Sequence, residues 1–173
     1  MEIFIVGIII VALMVYASTK MKKFTASAFE QETIETEEFL LVKPEGFLHV
    51  IGDQSKFAFY AYSKEFGKEE VEEEIRQAEI FVNSFAGKTF TEVWNGIKND
   101  SENILSKELS DAKKICLIKI EKTNGETVVS EFYKIVESED AQKLYQLKIS
   151  VLKGFEDDYQ ERVDETLENF RVK

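Results

Sequence analysis

The residues that most often perform acid-base or nucleophilic chemistry are scarce in this chain. The sequence contains one histidine, His49, and one cysteine, Cys116. A Ser-His-Asp or Cys-His arrangement would have to use His49 as its base. His49 lies between Leu48 and Val50 in a segment with strand character, and Cys116 lies among apolar residues, where a thiol acts as a small apolar group. We therefore predict structural roles for both side chains.

Carboxylates are the other groups that could bind a metal or transfer a proton. One histidine and one cysteine are too few for a nitrogen and sulfur metal site. The densest acidic run, 69–74, lacks the spaced ligands and turning glycine of a calcium loop and is typical of a solvated helix face. The glycines stand singly, which excludes a glycine-rich phosphate loop. The sequence thus assigns no catalytic, cofactor-binding or metal-binding residue, and we predict that the protein is not an enzyme.

The charge balance excludes one class of partner. The chain carries 33 acidic and 22 basic residues, a formal net charge of −11. Nucleic-acid binding requires Lys and Arg to neutralise phosphates, so a strongly acidic domain would repel nucleic acid. The acidic surface favours solubility, with a basic protein partner as the alternative.

The N-terminal segment Ile3–Ala17 is an uninterrupted apolar stretch of fifteen residues. Together with its neutral neighbours it is close to the lower limit of about 17 residues for a membrane span. A secretory signal would need a basic region before the stretch, and only Glu2 is charged there. A core helix of a soluble fold would show a polar stripe, which is missing. We predict a single-pass transmembrane anchor over residues 1–19, with a cleaved signal peptide as the alternative.

The charges beside this segment predict its orientation. Lys20, Lys22 and Lys23 follow the apolar stretch, and short basic flanks are retained on the cytoplasmic side of a membrane. The N-terminus is therefore expected outside the cell. The domain that follows is expected on the cytoplasmic side of the cytoplasmic (inner) membrane.

The first half of the domain reads as strands after a polar connector over 20–38. Phe39–Val42 and Phe47–Ile51 flank a Pro44 and Gly46 turn, which predicts a β-hairpin. Phe57–Tyr62 predicts a strand with Phe57 and Phe59 on one face, and Tyr60 and Tyr62 on the other. These aromatics, with Trp94, are expected in the core, although they could also line a ligand pocket.

The middle of the chain predicts two helices around one strand. We expect a helix over Glu69–Gln77, a strand over Ala78–Phe85 and a helix that begins near Thr89 or Thr91. Phe90, Val93, Trp94 and Ile97 mark the buried face of that second helix.

The last third predicts a meander and a closing helix. Lys114–Lys122 and Glu126–Val136 are joined by Asn124-Gly125, a pair that favours a type I′ hairpin, and we expect Thr123 to pair with Glu126. Apolar residues on both faces of this hairpin predict cover on both sides. Leu144–Lys153 predicts a strand with Tyr145, Leu147, Ile149 and Val151 inward and Gln146, Lys148 and Ser150 outward. A helix follows Gly154.

This order of elements predicts an α+β domain over 39–173, a mainly antiparallel sheet between helices in an α/β/α sandwich. It resembles the PsbP/Mog1/DcrB-like domains in the Pro44-Glu45-Gly46-Phe47 turn, the segment 143–147 within the late meander, and the terminal helix that ends at 168–170. The resemblance would cover about 39 to 172. It implies an accessory or assembly role without a catalytic motif.

The sequence therefore predicts an anchored accessory or assembly subunit that binds partner membrane proteins through its helix and its cytoplasmic domain. The alternative is a membrane-anchored module that binds a small ligand or lipid in a pocket between the sheet and the helix carrying Trp94. Such a pocket would need about 300 Å³ or more and a mainly apolar lining.

Overall fold

The computed structural model describes residues 2–51, 56–67, 75–99, 103–110, 115–124, 127–138 and 143–173. In these residues a long N-terminal helix precedes an α+β domain of two antiparallel sheets with two helices. The helices are α1 (Glu2–Ala28), α2 (Phe90–Asn99) and α3 (Glu156–Asn169). The α+β class with a mainly antiparallel sheet is as the sequence predicts.

The strands form one small and one large sheet. They are β1 (Glu32–Glu35), β2 (Phe39–Lys43), β3 (Phe47–His49), β4 (Phe59–Ser63), β5 (Ala78–Ala86), β6 (Asn103–Ser110), β7 (Ile115–Asn124), β8 (Thr127–Glu137), β9 (Lys143–Leu152) and β10 (Arg171–Val172). The small sheet has the order β1-β2-β10. The large sheet has the order β3-β4-β5-β9-β8-β7-β6, with antiparallel pairing throughout.

The predicted hairpin of Phe39–Val42 with Phe47–Ile51 is wrong. Both segments contain strands, but β2 pairs with β1 and β10, whereas β3 pairs with β4. The turn between them is present, and Gly46 adopts a φ of +87°, which favours glycine. The chain passes from one sheet to the other at this turn, and the Lys43 ammonium donates to the Phe47 carbonyl across it at 2.8 Å.

The predicted connector over 20–38 contains regular structure. Helix α1 continues to Ala28, and β1 then pairs antiparallel with β2. Strand β1 was not predicted because Ile34 is its only apolar residue, so the segment lacks the alternation that identifies a strand. An edge strand of this kind is held mainly by backbone hydrogen bonds.

The predicted helix over Glu69–Gln77 is wrong where it can be compared. Residues 68–74 lie outside the described residues, but Arg76 forms an isolated β-bridge with Phe66 and leads into β5. The predicted strand and the helix that begins near Thr89 are confirmed as β5 and α2. Strands β6 and β10 were not predicted, since β6 is largely polar and β10 has two residues.

The predicted hairpin near Asn124 is confirmed, but its register is shifted. Thr123 pairs with Val128, and Asn124 pairs with Thr127, instead of Thr123 with Glu126. The shift is two residues, so the hairpin side chains that the structure describes stay on their predicted faces.

The two faces of the large sheet are packed differently. On the first, which we call the closed face, alternate residues of β9 pack with α3 and β2 in the main core, including Tyr145, Leu147, Ile149 and Val151. On the second, the cleft face, Val93 and Ile97 of α2 pack over β7 and β8 in a smaller core. The predicted cover on both faces is confirmed. Gln146 and Ser150, predicted outward, are instead buried on the cleft face.

Candidate functional site

A cleft lies on the cleft face where α2 leaves part of the sheet uncovered. Its volume is about 330 Å³, and α2 forms one wall above a floor made by β5, β8 and β9. Six lining residues are apolar or aromatic and six others are polar or charged. They are Phe57, Phe81, Phe85, Val93, Ile97, Tyr133, and Asn83, Lys88, Glu92, Lys122, Gln146, Lys148. The pocket predicted between the sheet and the Trp94 helix therefore exists, but its lining is mixed instead of mainly apolar.

The floor of the cleft is a row of side chains on neighbouring strands. Phe81 of β5 pairs with Lys148 of β9, which pairs in turn with Tyr133 of β8. Directly paired side chains lie about 4.5–5.5 Å apart at Cβ, so an aromatic ring, an ammonium and a phenol adjoin one another. In the next row, the Asn83 amide donates to the Gln146 side-chain oxygen at 3.2 Å.

A buried carboxylate holds Lys148 in this row. Glu131 is 1 % exposed, and its Oε1 lies 2.5 Å from the Lys148 ammonium. The Tyr133 hydroxyl donates to Glu131 Oε2 at 2.6 Å, and the Ser150 hydroxyl donates to Oε1 at 3.4 Å. We call these four residues the Glu131 network. It pairs the buried charge and satisfies its oxygens, as a buried ion requires.

The network also sets the ionisation of its carboxyl group. Burial by itself raises the pKa of Glu131, but the charge of Lys148 and the hydrogen bonds from Lys148 and Tyr133 outweigh it. The pKa of this carboxyl therefore lies below its ordinary value. Glu131 is ionised at neutral pH, and Lys148 stays fixed at the cleft floor.

Aromatic rings form a shelf at the end of the cleft away from α2. The Phe57 and Phe81 rings meet at 4.8 Å between centroids with an interplanar angle of 60°, and the Tyr60 ring stacks on Phe81 at 5.0 Å. The Tyr60 hydroxyl donates to Glu79 at 2.6 Å. Burial and this bond raise the pKa of Tyr60, so the phenol remains neutral. Phe57 thus lies with Tyr60, not on the face of Phe59 as predicted.

The α2 wall begins with a reciprocal cap. The Thr89 backbone N–H and hydroxyl donate to Glu92 at 2.7 and 2.8 Å, and the Glu92 N–H donates to the Thr89 hydroxyl at 3.3 Å. This capping box confirms Thr89 as the residue that begins the helix. One turn later Gly96 lines the cleft, and a Cβ built there meets no atom within 4 Å.

A second feature fastens α1 to the domain. Lys43 is 1 % exposed, and its ammonium donates to the carbonyls of Ala28, Glu30 and Phe47 at 3.0, 2.6 and 2.8 Å. Ala28 is the last residue of α1, whose terminal carbonyls lack helical partners. Burial lowers the pKa of Lys43, with an opposing effect from Glu32. We call this arrangement the α1 joint.

The apolar side chains of α1 that the structure describes, from Ile10 to Tyr16, are exposed. Ile10, Val11, Leu13, Met14, Val15 and Tyr16 are each 48–66 % exposed. Among the described residues, no helix is both long enough and apolar enough to cross a membrane.

The residues singled out in the sequence do not converge. His49 is half-buried on β3, with its ring 4.6 Å from that of Phe59, and burial lowers its pKa. Cys116 belongs to β7, but its side chain lies outside the described residues, as does the acidic run 69–74. Trp94 packs against the smaller core and does not line the cleft. In the described part of the chain, no three His, Cys, Asp or Glu side chains are grouped to hold a metal.

Sequence reasoning missed the residues that distinguish the cleft and the joint. Glu131 interrupts an apolar strand, and Lys43 ends one, which is a weak signal of buried charge. Their partners lie on other strands or on helix ends distant in sequence. The pairing could therefore not be predicted without the sheet order.

Comparison with known proteins shows likeness of fold. Neither a protein-family model nor a curated protein sequence matches this chain. Solved structures do match it, with the coverage of this chain given before that of the other. The Saccharomyces cerevisiae Ran-binding protein Mog1p is 13 % identical, with coverages of 83 % and 96 % and a TM-score of 0.55. Cyanobacterial PsbP from Synechocystis is 12 % identical, with coverages of 84 % and 94 % and a TM-score of 0.57. LpqN of Mycobacterium tuberculosis, involved in cell envelope biogenesis, is 9 % identical, with coverages of 83 % and 90 % and a TM-score of 0.54. The PsbP/Mog1-like fold predicted from the sequence is confirmed.

Proposed function

We propose that this protein is a membrane-anchored accessory subunit without enzymatic activity, which binds partner proteins at the cytoplasmic surface of a membrane. The observation that carries the proposal is the exposed apolar part of α1, connected to a folded domain through the α1 joint. Large apolar side chains that stay exposed in one contiguous patch mark a surface covered by a partner or by lipid.

The bilayer is the cover we propose for this part of α1. Ile3–Ala17 is uncharged on every side of the helix, whereas a helix that packs on one soluble partner keeps a polar stripe. The segment is short for a span, and the lysines that follow can extend it by reaching the headgroups. Lys20, Lys22 and Lys23 place the domain on the cytoplasmic side in this proposal.

The α1 joint supports a role that depends on the position of the domain. Lys43 donates to the carbonyl of Ala28, the last residue of α1, and the Gly46 N–H donates to the Phe29 carbonyl just after the helix at 2.7 Å. A flexible tether would need no such contacts. The domain is thereby held at a set orientation to α1, which suits docking on neighbouring membrane proteins.

The fold is compatible with protein binding. Yeast Mog1p, whose structure has this fold, is a Ran-binding protein. The net charge of −11 adds a preference for basic partner surfaces. These arguments support binding as the activity and leave the partner to be identified.

Membrane insertion is tested by alkaline extraction of membranes from cells that express the full chain. We expect the wild type to stay in the membrane and the double variant Val11→Lys/Val15→Lys to enter the soluble fraction, because charges at mid-helix oppose insertion. The matched control Thr19→Lys/Ser27→Lys should stay in the membrane. Release of the wild type would contradict the anchor.

Partner binding is tested by extraction in mild detergent, size-exclusion chromatography and mass spectrometry of what co-elutes. We expect a complex larger than the monomer, with the same partners in independent preparations. We expect Lys43→Met to stay in the membrane but lose those partners, since the orientation set by the joint is lost. Elution of the wild type as a lone monomer would contradict the accessory role.

A further inference from the structure

The cleft has a built floor that the proposed anchoring and docking do not use. Lys148 is held in place by a carboxylate that is almost completely buried, and the paired amides of Asn83 and Gln146 lie in the next row. A volume of about 330 Å³ is at the lower end of the range for small-molecule sites. The cleft is therefore of a size for one ring and a short chain.

The charges in the cleft oppose those of the whole protein. Three lysines line it, Lys88, Lys122 and Lys148, against two carboxylates, Glu92 in the lining and Glu131 beneath Lys148. Glu92 is engaged by the Thr89 cap, whose hydrogen bonds hold its pKa below the ordinary value. In a chain with a net charge of −11, this local excess of cations favours an anion.

The aromatic shelf adds a place for an apolar group beside these cations. Tyr60 stacks on Phe81 and is anchored by Glu79, while Phe57 meets Phe81 at 60°. Phe81 pairs directly with Lys148, so a ring on the shelf would lie one strand away from the ammonium. A ligand with a ring and an acid separated by a short chain matches this spacing.

Gly96 leaves the α2 wall of the cleft without a side chain at this position. Glycine in a helix interior costs about 1 kcal/mol relative to alanine. Packing does not explain the cost, since a Cβ at Gly96 would meet no atom within 4 Å, and the residue faces the cleft. The space above Gly96 is therefore part of the cleft itself.

We propose that this cleft binds a small aromatic carboxylate. The ring packs on Phe57 and Phe81, and the carboxylate lies beside the partly exposed Lys148 ammonium on the neighbouring strand. Because Glu131 already offsets the charge of Lys148, Lys88 and Lys122 supply the positive charge that favours the anion. The amides of Asn83 and Gln146 offer hydrogen bonds beside it. This inference goes beyond the proposed membrane role and is independent of it, because a failure of either leaves the other standing.

The test is a titration of the full-length protein in mild detergent, which does not require α1 to insert into a bilayer, followed by NMR of labelled backbone amides. The probe is 3-phenylpropionate, compared with 3-phenylpropanamide, phenethylamine and hexanoate. We expect saturable binding of the first, at least tenfold weaker binding of the others, and shifts centred on Phe81, Gly96 and Lys148. Equal affinity of the acid and the amide, or shifts that never saturate, would overturn the proposal.

Variants separate binding in the cleft from partitioning into the detergent. Gly96→Phe fills the space above the floor, and its matched control Asn95→Phe places the same ring on the exposed side of α2. We expect Gly96→Phe to weaken binding at least tenfold and Asn95→Phe to leave it unchanged. If Gly96→Phe does not fold, the double variant Lys88→Gln/Lys122→Gln provides a second test. It should bind 3-phenylpropionate no more tightly than 3-phenylpropanamide. Unchanged binding in a folded Gly96→Phe, or an unchanged preference in the lysine variant, would contradict the site.

Discussion

The closed face and the cleft face are built from alternate residues of the same strands, yet they reach opposite solutions. On β9, Leu147 is fully buried in the main core, whereas its neighbour Lys148 faces the cleft and is about a quarter exposed. The closed face excludes water with apolar side chains and α3. The cleft face excludes less water, so it holds its shape through a charged network and one short helix. The difference shows which face carries stability and which is available for binding.

The comparison is tested most strongly by removing one apolar side chain from each face. We expect Leu147→Ala to lower the free energy of unfolding by about 3 kcal/mol, because it leaves a cavity in the main core. Phe81→Ala should cost about 1 kcal/mol, since its ring is partly exposed and contributes mainly aromatic contacts. Urea unfolding followed by the fluorescence of Trp94, the single tryptophan, measures both. Equal losses would mean that the faces do not differ in this way.

A smaller effect is expected from the charge that the cleft face buries. Glu131→Gln should lower the free energy of unfolding by about 2–3 kcal/mol, since Lys148 loses its partner but keeps some contact with water. The matched control is Glu121→Gln, which breaks the more exposed pair with Lys153 and should cost less than about 1 kcal/mol. Similar losses in the two variants would show that the Glu131 network is not specially buried.

The pH dependence of stability sharpens the same point. The pKa of Glu131 is lowered in the folded protein, so its contribution is fully present above the unfolded value of about 4.3. It is lost as the pH falls through the folded value. We therefore expect the stability of the wild type to fall more steeply than that of Glu131→Gln between pH 5 and the acid transition. Parallel pH profiles of the two proteins would contradict the assignment.

The smallest expected effect concerns the open space of the cleft. Gly96→Ala should raise the free energy of unfolding by about 0.5–1 kcal/mol, because helix propensity improves and the new Cβ meets open space. Gly87→Ala also meets open space, but Gly87 has a φ of +70°, so it should lower stability by about 1 kcal/mol. Thermal unfolding separates the two. A loss of stability in Gly96→Ala would mean that the cleft is packed more tightly than described.

Local patterns predicted most elements of the main sheet and both domain helices. The alternation along β9, the Asn124-Gly125 turn and the Thr89 cap are short-range signals, and each leads to an element that the structure contains. Two strands that were not predicted and the hairpin that was wrongly predicted lack a local signal in the sequence. Strand β1 and β6 are polar edges without alternation, and the β2 to β3 turn joins two sheets, which no local pattern distinguishes from a hairpin.

The candidate site was less predictable than the fold. Of its aromatic members, Phe57 was noted in the sequence as an expected core residue that could also line a pocket, and Lys148 was assigned to an outward face. No feature of the sequence near Glu131 marks it as part of a site. Its role becomes visible only when β8 pairs with β9, which brings it beside Lys148 and Ser150. The sequence alone therefore does not show whether the second face of the sheet carries an apolar core or a cleft of mixed polarity. The sheet order decides this.

By itself the sequence determined the acidic charge, the apolar N-terminal helix and the α+β class, because these follow from composition and short-range periodicity. Only the tertiary structure decided where each charge lies. It placed Lys43 at the end of α1 and Lys148 beside Glu131, and it left the space above Gly96 open. The physical reason is that burial and pairing of charges depend on contacts between strands far apart in the chain, and these contacts decide which polar side chains are paired and which line a cleft.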